Sequence, residues 1–302
     1  MALDRAATPM TALVSVVICS RNRPRLLREA VDSVLTAEQR PAEIVVVDQS
    51  DAPEGAVLAG LGSPECAVRW LPSTTRGASR ARNAGVTDAR HSLLAFLDDD
   101  MRVESRWLGA MVRALGAGTR IVVTGRVLEE AAAPGGFAPS TKTSDAPMTF
   151  AGRPGRDVLY TGNMAMHRAA FEAIGPFDER LGPGTRYPAA EDNDLGFRLL
   201  EAGYRIAYAP DAIAWHRAWR AEAERVPLRW AYGRGQGAYY AKHATLRDPY
   251  MIGRFGSDLV RLAFGFPKRL ARHPRRAAGD LAFAAGLCAG AGRWLWTERR
   301  AR

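Results

Sequence analysis

Short apolar runs alternate with amphipathic stretches along the N-terminal third of the chain. Residues 12–19, 44–47 and 93–97 form the runs, and apolar residues at helical spacing mark 25–35 and 78–89 between them. This βαβαβ order predicts an α/β fold whose central sheet is mostly parallel and flanked by helices. Because the carboxyl ends of parallel strands share one sheet edge, polar residues that follow the runs should meet in one crevice.

The middle of the chain loses this regularity and then recovers it. Residues 129–156 are rich in Ala, Pro, Gly, Ser and Thr without a sustained period. This composition predicts a long, mobile loop that could form part of a lid over an acceptor. Periodicity resumes over 158–165, and a further helix is expected to begin at Glu191 or Asp192 and to end at Gly203.

The last third of the chain has a different pattern. Residues 228–243 and 255–272 have the spacing of basic amphipathic helices, with Pro267 and Pro274 as interruptions. The glycine-rich run 232–237 follows no strand, so we interpret it as a site of helix packing and not as a phosphate-binding loop.

Charge separates two parts of the chain. The 302 residues have a net charge of +10, yet residues 1–216 hold 24 basic and 26 acidic side chains, whereas 217–302 hold 18 and 6. This asymmetry predicts that the C-terminal segment meets an anionic membrane or another polyanion. Solvated helices packed on the rest of the protein, or a homodimer contact, would explain the same pattern.

Composition limits the class of protein. A hydrophobic content of 47% supports a sizeable core and excludes a disordered chain. The three cysteines have neither metal-site nor disulfide-framework spacing, which favours a reducing compartment. No segment approaches the roughly 18 uncharged apolar residues of a membrane span. We therefore expect a cytoplasmic protein, with peripheral contact at the inner face of a membrane through its basic segment.

Three consecutive aspartates, Asp98, Asp99 and Asp100, end the third apolar run. A buried strand that runs into concentrated negative charge carries carboxylates to the edge where open α/β sheets bind ligands. Carboxylate oxygens at such an edge suit Mg²⁺ or Mn²⁺. An acidic turn before a helix around 105–115 is the alternative explanation of the local pattern.

Five segments in a fixed order carry a family resemblance: VSVVICSRNRP, EIVVVDQSD, GASRARNAGV, LLAFLDDD and AEDNDLGFRLLEAGYRI. Over roughly 12–216 the chain strongly resembles the family 2 glycosyltransferases. The resemblance implies a GT-A domain over 1–216, with a nucleotide-binding half at about 12–125 and an acceptor-binding half at 126–216. A helical basic extension, 217–302, would follow.

The same resemblance implies a reaction. Family members transfer a sugar from a nucleotide-diphosphate donor to an acceptor hydroxyl with inversion, and a divalent Mn²⁺ or Mg²⁺ would neutralise the leaving diphosphate. The acceptor class is open between a glycan, a lipid-linked molecule and a small molecule.

The aspartates match the Asp-X-Asp motif of the family. Asp98 and Asp100 occupy the fixed positions, and Asp99 is the variable middle residue. The resemblance implies that Asp100 binds the metal and that Asp98, with Asp99 beside it, contacts the donor. His216 matches a late histidine that supplies a metal ligand or a diphosphate contact in many metal-dependent relatives. A packed histidine beside Trp215 is the alternative.

The resemblance places the nucleotide at the ends of the first two strands. Asp48 stands at the base-recognition position, where a carboxylate can accept a hydrogen bond from a base N–H. Gln49 follows it, where the family often has a second acid. Ser20, Arg21 and Arg76 match positions of nucleotide contacts. A local turn would explain Asp48 alone.

Glu191 and Asp192 resemble the catalytic acidic pair of the family. Inverting transfer needs a carboxylate that removes the proton of the acceptor hydroxyl, and we expect Asp192 to do so, ionised by the N-terminus of its helix. An ordinary acidic helix start is the alternative. Gly162 and Asn163 match a segment that lines the donor sugar in relatives, with a strand bulge as the alternative. Arg80, Arg82 and Asn83 could contact the nucleotide, form a solvated helix face or belong to a helix-start motif.

Two other classes of function remain open from the sequence. A catalytically silent nucleotide-sugar-binding or scaffold protein would have the same fold, although both acidic motifs are intact. No nucleic-acid partner is expected, because the basic segment contains no recognisable reader motif.

Overall fold

Strands and helices alternate along the described part of this computed structural model, residues 13–53, 55–130 and 136–298. The strands are β1 (Val14–Ser20), β2 (Glu43–Asp48), β3 (Ala67–Pro72), β4 (Leu93–Asp98), β5 (Met101–Val103), β6 (Ile121–Glu129), β7 (Gly136–Phe137), β8 (Met148–Phe150), β9 (Asn163–His167), β10 (Arg205–His216) and β11 (Arg220–Ala221). The helices are α1 (Pro24–Leu35), α2 (Ala78–Asp88), α3 (Trp107–Leu115), α4 (Arg168–Ile174), α5 (Glu191–Glu201), α6 (Arg225–His243), α7 (Tyr250–Arg272) and α8 (Pro274–Thr297).

The central sheet is mostly parallel, as the strand pattern predicted. Its order within the described residues is β3-β2-β1-β4-β9-β6-β10-β5, and β8 also pairs with β10. The first four strands of this order are mutually parallel, as are β6 and β10, whereas β9 is antiparallel to both of its neighbours. This arrangement confirms the predicted α/β sheet.

Alternation along the strands creates a core on each face of the sheet. Val16 and Ile18 of β1 pack in the cluster that contains Val31 of α1. Val17, between them, packs in the opposite cluster with Leu195 of α5. These side chains are almost fully buried, so helices cover both faces, which a mostly parallel sheet requires.

The stretch 129–156 is more regular than its composition predicted. It contributes to β7 and β8, and the backbones of Val127 and Lys142 exchange two hydrogen bonds of 2.8 and 2.9 Å. The Tyr208 hydroxyl donates to the carbonyl of Lys142 at 3.1 Å. The expectation of an irregular loop is therefore wrong for these parts, because backbone pairing needs no apolar periodicity. Residues 131–135 lie outside the described residues.

The C-terminal segment is helical, as predicted, although Pro267 lies inside α7 without ending it. Pro267 and Ala263 are both exposed, so water can satisfy the carbonyl that lacks a helical partner. The glycine-rich run packs against α8: a Cβ on Gly237 would lie 2.8 Å from the backbone carbon of Leu287. Within the described residues, no helix combines the length and the apolar character needed to cross a bilayer.

Candidate active site

The carboxyl ends of three parallel strands bring predicted residues to one edge. In the sheet register Ser20 lies opposite Asp48 of β2, and Cys19 lies opposite Asp98 of β4. A cavity of about 320 Å³ opens beside Asp98 and is closed on its far side by the start of α5, which carries Glu191. Residues far apart in the sequence therefore share one crevice.

Arg82 connects the two acidic motifs across this cavity. It donates to Oδ1 of Asp98 at 2.9 Å and to Oε1 of Glu191 at 3.0 Å, and it is only 6% exposed. Its guanidinium lies 5.7 Å from the ring centre of Phe177. Of the alternatives for Arg82, the solvated helix face is wrong, because its side chain turns inward from α2 to two carboxylates. The sequence pattern of α2 alone does not show which groups the guanidinium of Arg82 contacts.

Both carboxylate oxygens of Asp99 contact other side chains of the protein. It is 1% exposed, its Oδ2 accepts a hydrogen bond from the Ser20 hydroxyl at 2.6 Å, and its Oδ1 lies 2.8 Å from Arg23. Burial, partly offset by Arg23 and reinforced by the charge of Asp100, raises the pKa of Asp99 to about 7. The predicted donor-binding residues Ser20 and Asp99 thus bond to each other.

Asp100 faces a ring of donors. Its Oδ2 accepts hydrogen bonds from Arg23 at 3.0 Å and from the indole N–H of Trp219 at 2.9 Å, and its Oδ1 lies 3.5 Å from Nε2 of His216. Burial acts to raise the pKa of Asp100, but His216 and Arg23 outweigh it and hold that pKa well below its usual range. Two contacts that sequence reasoning missed, Arg23 and Trp219, therefore stabilise the ionised carboxylate.

His216 is oriented by the stretch that the composition marked as a loop. Its Nδ1 lies 3.0 Å from the carbonyl oxygen of Ser140, which can only accept, so Nδ1 carries a proton and Nε2 points to Asp100. Burial lowers the pKa of His216, but the hydrogen bond and charge of Asp100 raise it more, so that the net shift is upward.

Asp100 and His216 fit a divalent cation. A hard carboxylate oxygen and an imidazole nitrogen converge within 3.5 Å, and the histidine is held through its other nitrogen, as metal-binding histidines usually are. No group of three His, Cys, Asp or Glu side chains surrounds such a position among the described residues. A cation there would need further oxygen ligands from a substrate or from water.

Asp192 borders the central cavity and a second one of about 380 Å³. Its Oδ1 accepts the backbone N–H of Asn193 at 2.8 Å, and no described side chain forms a hydrogen bond or salt bridge with it. Burial and the charge of Glu191 raise the pKa of Asp192 to about 7. The expectation that the helix N-terminus keeps Asp192 ionised is thus not met, because burial beside a second carboxylate outweighs the helix dipole.

Two of the predicted nucleotide contacts, Ser20 and Asp48, line a separate cavity of about 320 Å³. Asp48 is 3% exposed and accepts the indole N–H of Trp70 at 3.3 Å. Arg21 and Arg76 do not line this cavity, but both pair with Asp51, which does, at 3.1 and 3.0 Å. The structure brings these residues together, with the two arginines outside the central cavity.

Gly162 and Asn163 have different surroundings. A Cβ on Gly162 would collide with Oδ2 of Asp98, so only glycine leaves that carboxylate its position. Asn163 is 0% exposed; its amide accepts from the indole of Trp107 at 2.7 Å and donates to the carbonyls of Arg126 and Ala212 at 2.9 and 3.0 Å. The structure therefore places Asn163 in the core between strands, away from the cavity.

Helix α6 lines the central cavity through Tyr232 and Gln236. Gln236 accepts from Asn193 of α5 at 2.7 Å and donates to Asp157 at 2.8 Å. A Cβ on Gly235 would lie 2.6 Å from the backbone of Ala189, immediately before α5. The segment after residue 216 is thus packed on residues that flank the acidic pair.

Helix α8 covers the loop that leads into α5. The rings of Trp294 and Tyr187 lie 5.1 Å apart, and the hydroxyls of Tyr187 and Thr297 are 3.1 Å apart. Glu298 pairs with Arg180 at 3.2 Å. The end of the described chain therefore holds the loop that precedes Glu191 and Asp192.

Comparison with known proteins identifies the family. The model of glycosyl transferase family 2 matches residues 15–175, and the chain belongs to this family. It is 27% identical over 250 residues to the pre-mycofactocin glycosyltransferase of Mycobacterium tuberculosis, covering 79% of this chain and 50% of that protein. It is 26% identical over 243 residues to glycosyltransferase AglE of Haloferax volcanii, covering 76% of this chain and 74% of that protein. The chain thus spans half the length of the first relative.

Solved structures identify the fold as GT-A. The mannosyltransferase PcManGT from Pyrobaculum calidifontis, in complex with GDP-Man and Mn²⁺, superposes with a TM-score of 0.63 at 18% identity, over 95% of this chain and 88% of that one. GalNAc-T7 with UDP, GalNAc and Mn²⁺ superposes with a TM-score of 0.56 at 18% identity, over 80% and 52%. At this identity the likeness concerns the fold alone.

Proposed function

We propose that this protein transfers a sugar from a nucleotide-diphosphate donor to an acceptor hydroxyl, with inversion at the sugar carbon. One observation carries the proposal: the carboxylate of Asp192, without a described side-chain partner, borders the same cavity as Asp98 and Asp100. The family membership and the glycosyltransferase names of the relatives support the same reaction.

Metal dependence follows from the chemistry of the donor set. We assign Asp100 and His216 as ligands of Mn²⁺ or Mg²⁺, because their oxygen and nitrogen converge within 3.5 Å. When bound there, the cation would neutralise the leaving diphosphate as a Lewis acid. Asp98, fixed by Arg82, is positioned to orient the ribose or sugar of the donor. Both solved structures described above contain Mn²⁺, which supports the assignment.

The two acids of α5 have separate roles in this proposal. Glu191 is 7% exposed and bonded to Arg82, so it positions the start of α5. Asp192 has a free oxygen toward the cavity and acts as the general base that takes the acceptor proton. A base on the face opposite the leaving diphosphate gives inversion, since attack and departure occur in line.

In this proposal, the two halves of the glycosyltransferase domain bind different substrates. We propose that residues 12–125 hold the nucleotide, with Asp48 at the base, and that 126–216 hold the acceptor. Helix α6 adds a wall to the acceptor side, beyond the boundary at residue 216. The names of the relatives leave the class of acceptor open between a glycan, a lipid-linked molecule and a small molecule. Homodimerisation, a cytoplasmic location and contact with the inner face of a membrane stay predictions.

The donor must be found before the reaction can be tested. A thermal-shift screen of nucleotide sugars with MnCl₂ should reveal it, because ligand binding to the folded state raises the melting temperature. Asp100→Ala should then abolish both transfer and the metal-dependent part of nucleotide binding. The exposed Asp211 supplies a matched control, for which Asp211→Ala should behave like wild type. Unchanged turnover in Asp100→Ala would refute the proposed metal site.

A second variant separates binding from chemistry. Asp192→Asn should keep the donor affinity and lose kcat, because it removes only the base. A kcat near wild type would exclude Asp192 as the base. Donor binding with neither transfer nor hydrolysis, across the whole set of nucleotide sugars, would instead favour a catalytically silent binding protein.

A further inference from the structure

The three C-terminal helices differ in how far they are buried. In α6 and α8, glycines allow the two backbones to touch: a Cβ on Gly286 would lie 2.6 Å from the Trp230 carbonyl. Helix α7 lies outside this pair. Met251 is its only buried residue among those described, and Gly253 and Gly256 have nothing within 4 Å of an added Cβ. One face of α7 is therefore open to solvent.

That open face is apolar. Phe264 is 84% exposed, Val260 53%, Leu270 50% and Ile252 46%. Val260 and Phe264 are neighbours four residues apart, and Ile252 and Leu270 lie within about 120° of them around the helix axis, so that the four form one apolar row. Soluble proteins rarely leave a row of large apolar side chains uncovered without an interaction partner.

Exposed positive charge borders this row. Lys268 and Arg272 follow Phe264 at four-residue steps, and both are exposed. Neither forms a salt bridge with a described residue, and Asp258, the one acid in α7, pairs with Arg261 at 2.6 Å. Arg275 and Arg276, in the first turn of α8, instead lie close enough to Glu222 to interact electrostatically with its carboxylate. The apolar face therefore has a cationic border.

We propose that the α7 surface, which comprises Ile252, Val260, Phe264, Leu270, Lys268 and Arg272, lies on an anionic lipid bilayer. In such a contact the helix axis runs parallel to the membrane, the apolar row enters the headgroup boundary, and the cations meet anionic lipids. A second copy of this chain fits less well, because two such surfaces would bring four cations without salt bridges, Lys268 and Arg272 of each copy, close together. The inference does not depend on the proposed reaction, since lipid binding needs neither donor nor acceptor.

The test is flotation of the full chain with vesicles of phosphatidylglycerol and phosphatidylcholine, 1:1, and with pure phosphatidylcholine. Wild type should bind the anionic vesicles at least tenfold more strongly, and raised salt should weaken the binding. Phe264→Ser should reduce the partition coefficient about tenfold or more. Combining Lys268→Gln with Arg272→Gln should reduce it about 30-fold on anionic vesicles only.

A matched control variant and a second measurement distinguish lipid binding from self-association. Leu13 is 59% exposed at the start of β1, so Leu13→Ser should leave the partition coefficient unchanged. In sedimentation velocity without lipid, wild type and Phe264→Ser should show the same state of association. Absence of flotation with the anionic vesicles, or equal flotation of wild type and Phe264→Ser, would overturn the proposal. Self-association lost in Phe264→Ser would assign the α7 surface to a second copy.

Discussion

The contact between α6 and α8 can be tested by adding one methyl group. A Cβ on Gly237 would lie 2.8 Å from the carbon of Leu287 and 2.9 Å from the nitrogen of Ala291, with the Leu287 oxygen closer still. Nonbonded heavy atoms prefer about 3.5 to 4.0 Å, so Gly237→Ala requires the helices to separate by about 1 Å. All three neighbours are backbone atoms, which cannot move aside as a flexible side chain could.

The magnitude follows from two opposing effects. Overpacking of a close contact costs about 1 to 3 kcal/mol, and a gap of about 1 Å forfeits up to half of the dispersion energy of nearby contacts. Alanine in place of glycine inside a helix stabilises the helix by about 1 kcal/mol, which offsets part of this cost. We therefore expect Gly237→Ala to lower the free energy of unfolding by about 2 kcal/mol, measured by urea denaturation followed by circular dichroism.

Helix α7 supplies the matched control. Gly253 is also helical but has nothing within 4 Å of an added Cβ, so only the propensity effect remains. Gly253→Ala should raise the free energy of unfolding by about 0.5 to 1 kcal/mol. If Gly237→Ala proved as stable as Gly253→Ala, the close packing of α6 on α8 would be refuted.

Four further predictions concern the site. The pH profile of kcat/KM should rise through an apparent pKa of about 7, because Asp192 must lose its proton to act as base; a flat profile from pH 5 to 9 would contradict this role. Because that folded-state pKa lies above the ordinary value of 3.8, the folded protein holds the proton of Asp192 more tightly than the unfolded chain does. The free energy of unfolding should therefore fall as the pH rises from about 4 to 7, and less so in Asp192→Asn. Arg82→Met should lower the free energy of unfolding by about 3 kcal/mol in urea denaturation, since it strips a buried cation from its carboxylates; a loss below about 0.5 kcal/mol would show that the contacts contribute little. Gly162→Ala should weaken donor binding at least tenfold in calorimetry by displacing Asp98, whereas Gly155→Ala, with open space around it, should bind as wild type does.

The sheet was predictable because its signals are local. Strands β1, β2 and β4 are continuous apolar runs, and their polar ends necessarily meet once the strands are parallel. The positions of Asp48 and Asp98 on this edge follow from that argument alone. The start of α5 at Glu191 was predictable for a similar reason, since acidic residues precede a helix with one apolar face.

The contacts of long or amide side chains were not predictable in this way. Arg82 and Arg23 each reach carboxylates that lie far along the chain, and only the tertiary structure decides which ones. Asn163 shows a different limit: the family resemblance placed it beside the donor sugar, but its side-chain amide donates to backbone carbonyls in the core. The pKa of Asp192 was misjudged because burial, which the sequence does not show, outweighs the helix dipole.

Helix α8 covers the loop before α5, and this contact affects the order in which the site assembles during synthesis. Trp294 and Glu298 leave the ribosome about a hundred residues after Glu191, yet they contact Tyr187 and Arg180 in the loop that sets the position of the acidic pair. The strands that carry Asp48 and Asp98 are complete much earlier and can pair before these helices exist. During synthesis, a nascent chain would thus assemble its nucleotide side first and complete the geometry of its proposed base only when α8 has docked.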